Sequence, residues 1–193
     1  MKLVVGLGNP GNEYASNRHN AGFMCINHFA RAHGIRFDRK KAKSRVGTGV
    51  VHGVEVVLAR PQTYMNRSGE AVKALLSKYK TSVDDLIVVH DELDLPVGRI
   101  RIRKGGSSAG NHGIESIIAE TGIADFIRVR VGIGHPVDET EARAEVIDHV
   151  LGDFSPDEKK VIDGVIPRVT EALDCLIKDG LDAAMNRFNR APA

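Results

Sequence analysis

The chain has 193 residues, 42% of them hydrophobic and 27% charged, with a formal net charge of +2. Such proportions exclude collagen, a disordered polymer and a disulfide scaffold, and a chain of this length can bury roughly 70% of its unfolded surface. The charge is uneven: residues 1–135 hold 20 Lys and Arg against 12 Asp and Glu, whereas 136–193 hold 7 against 13, so a polyanionic partner is expected for the first part.

Residues 3–8, LVVGLG, read as a buried strand that ends in a glycine turn. A helix is expected over 20–33, where apolar residues recur at helical spacing and Gly34 provides a stop. Residues 36–45, RFDRKKAKSR, hold six basic residues and one acid and read as a solvated loop. Residues 46–51 and 54–60 alternate around His52-Gly53 and form a hairpin. Further helices are expected over 69–79 and 111–120, and strands over 86–90, 98–103 and 126–133. In the last two strands, the period of two places Arg99, Arg101 and Arg103 on one face, and Arg128 and Arg130 on one face.

Ser155-Pro156-Asp157-Glu158 is a capping box with proline at the first helical position. An apolar stripe from Val161 to Ile177 follows, with Pro167 expected to kink the helix. Gly180 ends it, and 181–189 is a last short helix. No apolar run approaches the 18 residues of a membrane span, and no N-terminal apolar segment is long enough for a signal peptide. Cys25 and Cys175 lie far apart with no CxxC spacing and read as buried thiols in a reducing cytoplasm. Strands and helices interleave throughout, which predicts one α/β domain over 1–193 with a mixed sheet.

Gly6-Leu7-Gly8-Asn9-Pro10-Gly11 matches the dinucleotide pattern GxGxxG. However, residues 26–36 contain no acid to hold a ribose, and the next helix starts too late. The stretch reads better as a rigid turn presenting the Asn9 amide. Gly106-Ser107-Ser108-Ala109-Gly110 matches the nucleophile elbow GxSxG. Its competing reading is a glycine-rich turn whose backbone N–H groups could cradle a phosphate. Eight histidines are present, but no spacing suggests a metal site. His28, His33, His52 and His149 read as surface or core residues. His19, by contrast, sits in a polar stretch just before a helix, and Asp91 follows a buried strand at the end where open α/β sheets bind ligands. A carboxylate there can orient an imidazole base.

Four stretches, VVGLGNPGNEYASNRHNAGF (4–23), TYMNRSGEAV (63–72), VVHDELDLPVGRIRIRKGGSSAGNHGIESI (88–117) and RVRVGIGHP (128–136), together resemble the bacterial-type peptidyl-tRNA hydrolase family. The resemblance implies an α/β fold with a mixed twisted central sheet flanked by helices, hydrolase-like but without a nucleophile-elbow serine. It implies hydrolysis of the ester between a peptide and the 3′ end of tRNA by a cytoplasmic monomer, with tRNA as partner and neither metal nor cofactor. His19 matches the catalytic base, Asp91 the carboxylate that holds it, and Asn9 the asparagine beside it. Asn66 matches an amide that contacts the substrate, Tyr14 and Tyr64 aromatic positions at the 3′-end site, and Arg103 and Arg130 a clamp for the 5′ phosphate.

One departure stands out: the family usually reads Gly-His-Asn-Gly where this chain has Gly110-Asn111-His112-Gly113. Asn111 or His112 therefore fills the slot of a substrate-binding amide. An amide both donates and accepts at any pH, which favours Asn111. Two rivals remain at this level: a non-catalytic RNA-binding member of the fold, and a serine esterase using Ser108.

Overall fold

The apolar run that opens the chain becomes β1 (Lys2–Gly6), whose side chains alternate between two cores: Val4 enters one, Leu3 and Val5 the other. The computed structural model describes residues 1–136 and 143–190. The other strands are β2 (Arg39–Lys41), β3 (Ser44–Val51), β4 (Val54–Pro61), β5 (Leu86–Glu92), β6 (Ile100–Lys104) and β7 (Ile127–Gly132). They form one mixed seven-stranded sheet in the order β2-β3-β4-β1-β5-β7-β6. The central strands β4, β1, β5 and β7 run parallel; β3 and β6 lie antiparallel to their neighbours β4 and β7, and β2 pairs antiparallel with β3 at one edge. A strand buried on both faces needs an unbroken apolar run rather than alternation, which is why 3–5 and 86–89 read as they do.

Helices cover both faces. On one lie α1 (Ala21–Ala32), α5 (Pro156–Lys178) and α6 (Leu181–Phe188). On the other lie α2 (Ser68–Lys78) and α3 (His112–Thr121). A shorter helix, α4 (Arg143–Val150), precedes α5. Gly22 lets α1 approach the sheet, since a Cβ there would meet the carbonyl of Val89 at 2.4 Å and that of Leu7 at 2.6 Å. The Gly6 and Gly8 of the GxGxxG pattern serve the same packing, against Gly22 and Phe23. The capping box of α5 forms as read: Glu158 N–H donates to Ser155 Oγ at 3.2 Å and Ser155 N–H to Glu158 Oε1 at 2.9 Å. α5 continues through Pro167 to Lys178. The proline lies on the exposed side, where water can satisfy the carbonyl it leaves free.

Two readings need correction, and one element went unread. Residues 36–45 are not a loop throughout. Arg39–Lys41 is the edge strand β2, and β3 already begins at Ser44. An edge strand exposed on all three residues shows no apolar alternation, so its sequence carries no strand signal. Arg128 shares a face with Arg130 but is not part of a solvent-facing basic surface. It is buried, donates to the carbonyls of Ser107, Gly106 and Ala124 at 2.6, 2.8 and 2.9 Å, and stacks on Phe126. Helix α4 had no sequence reading at all.

Candidate active site

The C-terminal ends of the parallel strands gather the polar residues. β1 runs out into Leu7-Gly8-Asn9, and Leu7 N–H still bonds Val89 O at 3.0 Å, which keeps the turn beside the end of β5. There Asp91, next to last in the strand, has its side chain 2% exposed. The chain then returns over the site: Arg18–Asn20 forms one 3-10 turn that leads straight into α1. This turn is pinned from the far end of the chain. Arg18 N–H donates to Gly152 O at 2.9 Å, and its guanidinium reaches His149 O at 3.0 Å and Glu158 Oε1 at 2.7 Å.

His19 therefore meets Asp91, with Nδ1 2.7 Å from Oδ2. A carboxylate accepts, so Nδ1 carries the hydrogen and Nε2 keeps its lone pair. Burial opposes a charge on His19, but the Asp91 carboxylate outweighs it by charge and hydrogen bond, holding the imidazole above its ordinary pKa of 6.5. Asp91 is itself held. Asn111 Nδ2 donates to its Oδ1 at 3.1 Å and to its backbone O at 3.2 Å, and His90 Nδ1 donates to the same backbone O at 2.7 Å. Burial, with Arg130 and Arg128 nearby, pushes the His90 pKa down to about 4, so His90 is a neutral donor.

Asn9 is fixed by groups that the sequence reading passed over. Its backbone N–H donates to Asn20 Oδ1 at 2.8 Å, and its backbone O accepts from Asn20 Nδ2 at 3.0 Å. Its own Oδ1 accepts the Met65 N–H at 2.8 Å. The side-chain NH₂ of Asn9 thus stays available to a ligand. The one signal for Asn20 was its place directly after His19.

Two cavities meet at His19. One, of about 270 Å³, is lined by Asn9, His19, Tyr64, Asn66 and His112, with the apolar Ile147, Val150 and Leu151 of the α4 region opposite. The other, of about 60 Å³, is lined by His19, Asp91, Glu92, Asn111 and His112. His112 belongs to both. Asn111 caps α3 instead, accepting Ile114 N–H at 3.1 Å while donating to Asp91. Tyr64 is exposed, and Tyr14 packs against it edge-on with ring centroids 6.4 Å apart.

Arg103 and Arg130 lie off the cavity on β6 and β7. Arg103 is exposed and packs over Gly106, whereas Arg130 is mostly buried, with Nε 3.7 Å from Glu92 Oε2. Ser108 offers Oγ only to Glu115 at 3.4 Å and Gly110 N–H at 3.4 Å. It has no imidazole partner among the described residues, so the GxSxG match is a turn and no elbow. Among the described residues, no three His, Cys, Asp or Glu side chains converge as a metal site, and no helix is long and apolar enough to cross a membrane.

The family profile described as peptidyl-tRNA hydrolase matches residues 3–193. A peptidyl-tRNA hydrolase of Dehalococcoides mccartyi (strain CBDB1) is 53% identical over 189 residues, covering 98% of this chain and 100% of that protein. One of Chloroflexus aurantiacus (strain ATCC 29366 / DSM 635 / J-10-fl) is 45% identical over 190 residues, covering 98% and 99%. The crystal structure of peptidyl-tRNA hydrolase from Acinetobacter baumannii superposes with a TM-score of 0.92 at 38% identity, covering 99% of this chain and 95% of that one.

Proposed function

This chain belongs to the peptidyl-tRNA hydrolase family and hydrolyses the ester of peptidyl-tRNA, and from that premise we propose that His19, held by Asp91, is the base that activates water. Nε2 of His19 takes a proton from water. The hydroxide attacks the carbonyl carbon of the ester, and the tetrahedral intermediate expels the 3′ ribose oxygen, which takes the proton back from the His19 imidazolium. Asp91 stabilises the imidazolium formed on the way. No enzyme-bound acyl group is needed, because the ribose oxygen is an acceptable leaving group.

The NH₂ groups of Asn9 and Asn66 serve the substrate's peptide backbone and the developing oxyanion, where loss of one donor typically costs about 10²–10³ in rate. His112 faces the same space and takes the slot that the resemblance left open, while Asn111 acts through Asp91 as a positioning residue. Tyr64, steadied by Tyr14, stacks on the terminal base. Arg103 and Arg130 hold the 5′ phosphate of the acceptor stem. Phosphate contacts position an RNA without reading its sequence, which suits an enzyme that recycles tRNA from aborted translation. The reading takes residues 1–193 as one catalytic unit working as a monomer in the cytoplasm.

The observation that carries this proposal is the 2.7 Å contact between His19 and Asp91, which leaves Nε2 toward the cavities. Its test is turnover of peptidyl-tRNA by His19→Ala, with thermal melting measured alongside. Loss of a general base costs about 10²–10⁴, with the melting curve kept. A variant that retains more than roughly a tenth of the activity overturns the assignment of the base.

A further inference from the structure

Three cations stand in one cross-strand row on the sheet. Lys40 of β2 is registered opposite Arg45 of β3, and Arg45 is opposite Arg60 of β4. Like charges placed directly opposite one another destabilise a sheet, so such a row calls for something that offsets it. Among the described residues the acids do not supply it. Lys43 and Arg67 both pair with Glu70, and no carboxylate pairs with Lys40, Arg45 or Arg60. Burial and the neighbouring Arg45 lower the pKa of Arg60, whose guanidinium rests 4.4 Å from the centre of the Phe37 ring and donates to Asn27 Oδ1 at 3.0 Å.

Lysines on an edge strand often serve only to block pairing with another sheet. That accounts for β2, whose three residues are all exposed. It does not account for Arg45 and Arg60, which are half-buried on the interior strands β3 and β4.

The row also leads somewhere. A groove of about 360 Å³ is lined by Lys40, Lys41, Lys43, Arg45 and Gln62. Arg45 and Gln62 line the next cavity too, of about 210 Å³, together with Arg60 and Asn9. Asn9 in turn lines the cavity that holds His19. A basic track thus runs from the β2–β3 turn to the reaction centre. That turn is made by Ala42 (φ 49°) and Lys43 (φ 57°), two non-glycine residues in the left-handed region, a conformation that side chains rarely adopt.

We propose that the Lys40–Arg45–Arg60 row is a second phosphate-binding track, which holds a stretch of the substrate's RNA backbone as it approaches Asn9. This rests on the reading of the site given above. RNA is favoured over the peptide because the row's repulsion is present in every molecule. Only the RNA half of the substrate is anionic in every turnover, whereas peptides vary in charge. The track lies on the opposite edge of the sheet from Arg103, so the two contact different phosphates.

The test measures affinity for deacylated tRNA as a function of salt, which requires no turnover. Lys40→Gln/Arg45→Gln is compared with wild type and with Lys73→Gln/Lys78→Gln on the exposed face of α2. Arg60 is left intact because it packs on Phe37. The expected result is a log–log salt slope shallower by roughly 1.4, from about 0.7 per single-strand phosphate. Affinity at low salt should fall about tenfold or more, KM for peptidyl-tRNA should rise, and kcat should stay unchanged. The melting temperature should hold or rise as repulsion is relieved, an effect opposite to that of losing a structural contact. A slope and affinity equal to those of the α2 control overturn the proposal and leave the cations as edge protection. A KM change confined to substrates with acidic peptides, with tRNA affinity intact, overturns it in favour of the peptide. Failure of wild type to turn over peptidyl-tRNA would instead strike the reading of the site, since the binding measurement stands without it.

Discussion

His19 and Asp91 are 72 positions apart in the chain, and their side chains meet at 2.7 Å. The contact exists because β1 and β5 are hydrogen-bonded neighbours, and because Gly22 lets the turn before α1 settle over their ends. The pair gives His19 two properties that a base needs. One is a fixed tautomer with Nε2 unprotonated, and the other is a pKa held above 6.5 against the effect of burial.

Replacing the carboxylate should therefore move the pH profile in a definite direction. As the proposed base, His19 works when neutral, so wild-type kcat/KM should fall as pH drops through a value above 6.5. In Asp91→Asn only burial remains, and the acid limb moves to lower pH while the plateau falls by about 10²–10⁴. Stability follows the opposite side of the same titration. A raised histidine pKa stabilises the fold below the unfolded value and loses that contribution as pH rises through the folded value. The melting temperature lost in Asp91→Asn is thus expected to be greater near pH 5.5 than near pH 8.5, conditions straddling the ordinary value of about 6.5. An acid limb that stays in place in the variant assigns it to another group.

Ser108→Ala should turn over peptidyl-tRNA at nearly the wild-type rate, and a serine-directed fluorophosphonate should leave the chain unlabelled. The hydroxyl of Ser108 reaches only Glu115 and Gly110 N–H, so no imidazole stands beside it to act as its base. Stoichiometric labelling at Ser108 would reverse the mechanism from water attack to acyl transfer.

Asn111 and His112 should separate cleanly. Asn111→Ala removes a helix cap, worth about 1 kcal/mol, together with the donor on Asp91. It should lower both the melting temperature and kcat. His112→Ala touches no such internal bond and should raise KM with the melting temperature unchanged. His112→Asn, which restores an amide, should recover most of that loss. If His112→Ala is silent while Asn111→Ala raises KM alone, the amide of Asn111 is the one that meets substrate.

The arginines of β6 and β7 should divide by burial, although they look alike in sequence. Arg128→Ala strips donors from three part-buried backbone carbonyls and empties the space of a buried side chain, and should destabilise the fold by about 2–4 kcal/mol. Arg103→Ala should leave the melting curve alone, raise KM and lower the salt slope for tRNA by roughly one. A stable Arg128→Ala protein with weakened tRNA binding would mean that the buried residue is the one that reaches the phosphate.

Much of the fold was legible because its signals are local. The strands 3–5 and 86–89 and the stripe of α5 announce themselves by period, and the Ser155–Glu158 box by four adjacent residues. β2 was not legible, because three exposed cations carry no period. The division of Arg128 from Arg103 was not legible either. Both alternate with apolar residues, and only the loop 106–107 folding back over β7 buries one of them.

By itself, the sequence determined the order of the strands and helices apart from β2 and α4, the family, and which polar residues stand at strand ends or before α1. These are properties of spacing along the chain, fixed by backbone geometry over a few residues. Only the tertiary structure decided which of those residues meet. It gave Asn20 the task of bracketing Asn9, and set Asn111 on Asp91 and His112 over the cavities. It also brought Arg45 opposite Arg60. Each of these depends on sheet register and on how closely helices approach, so the energies that settle them arise between segments distant in the chain.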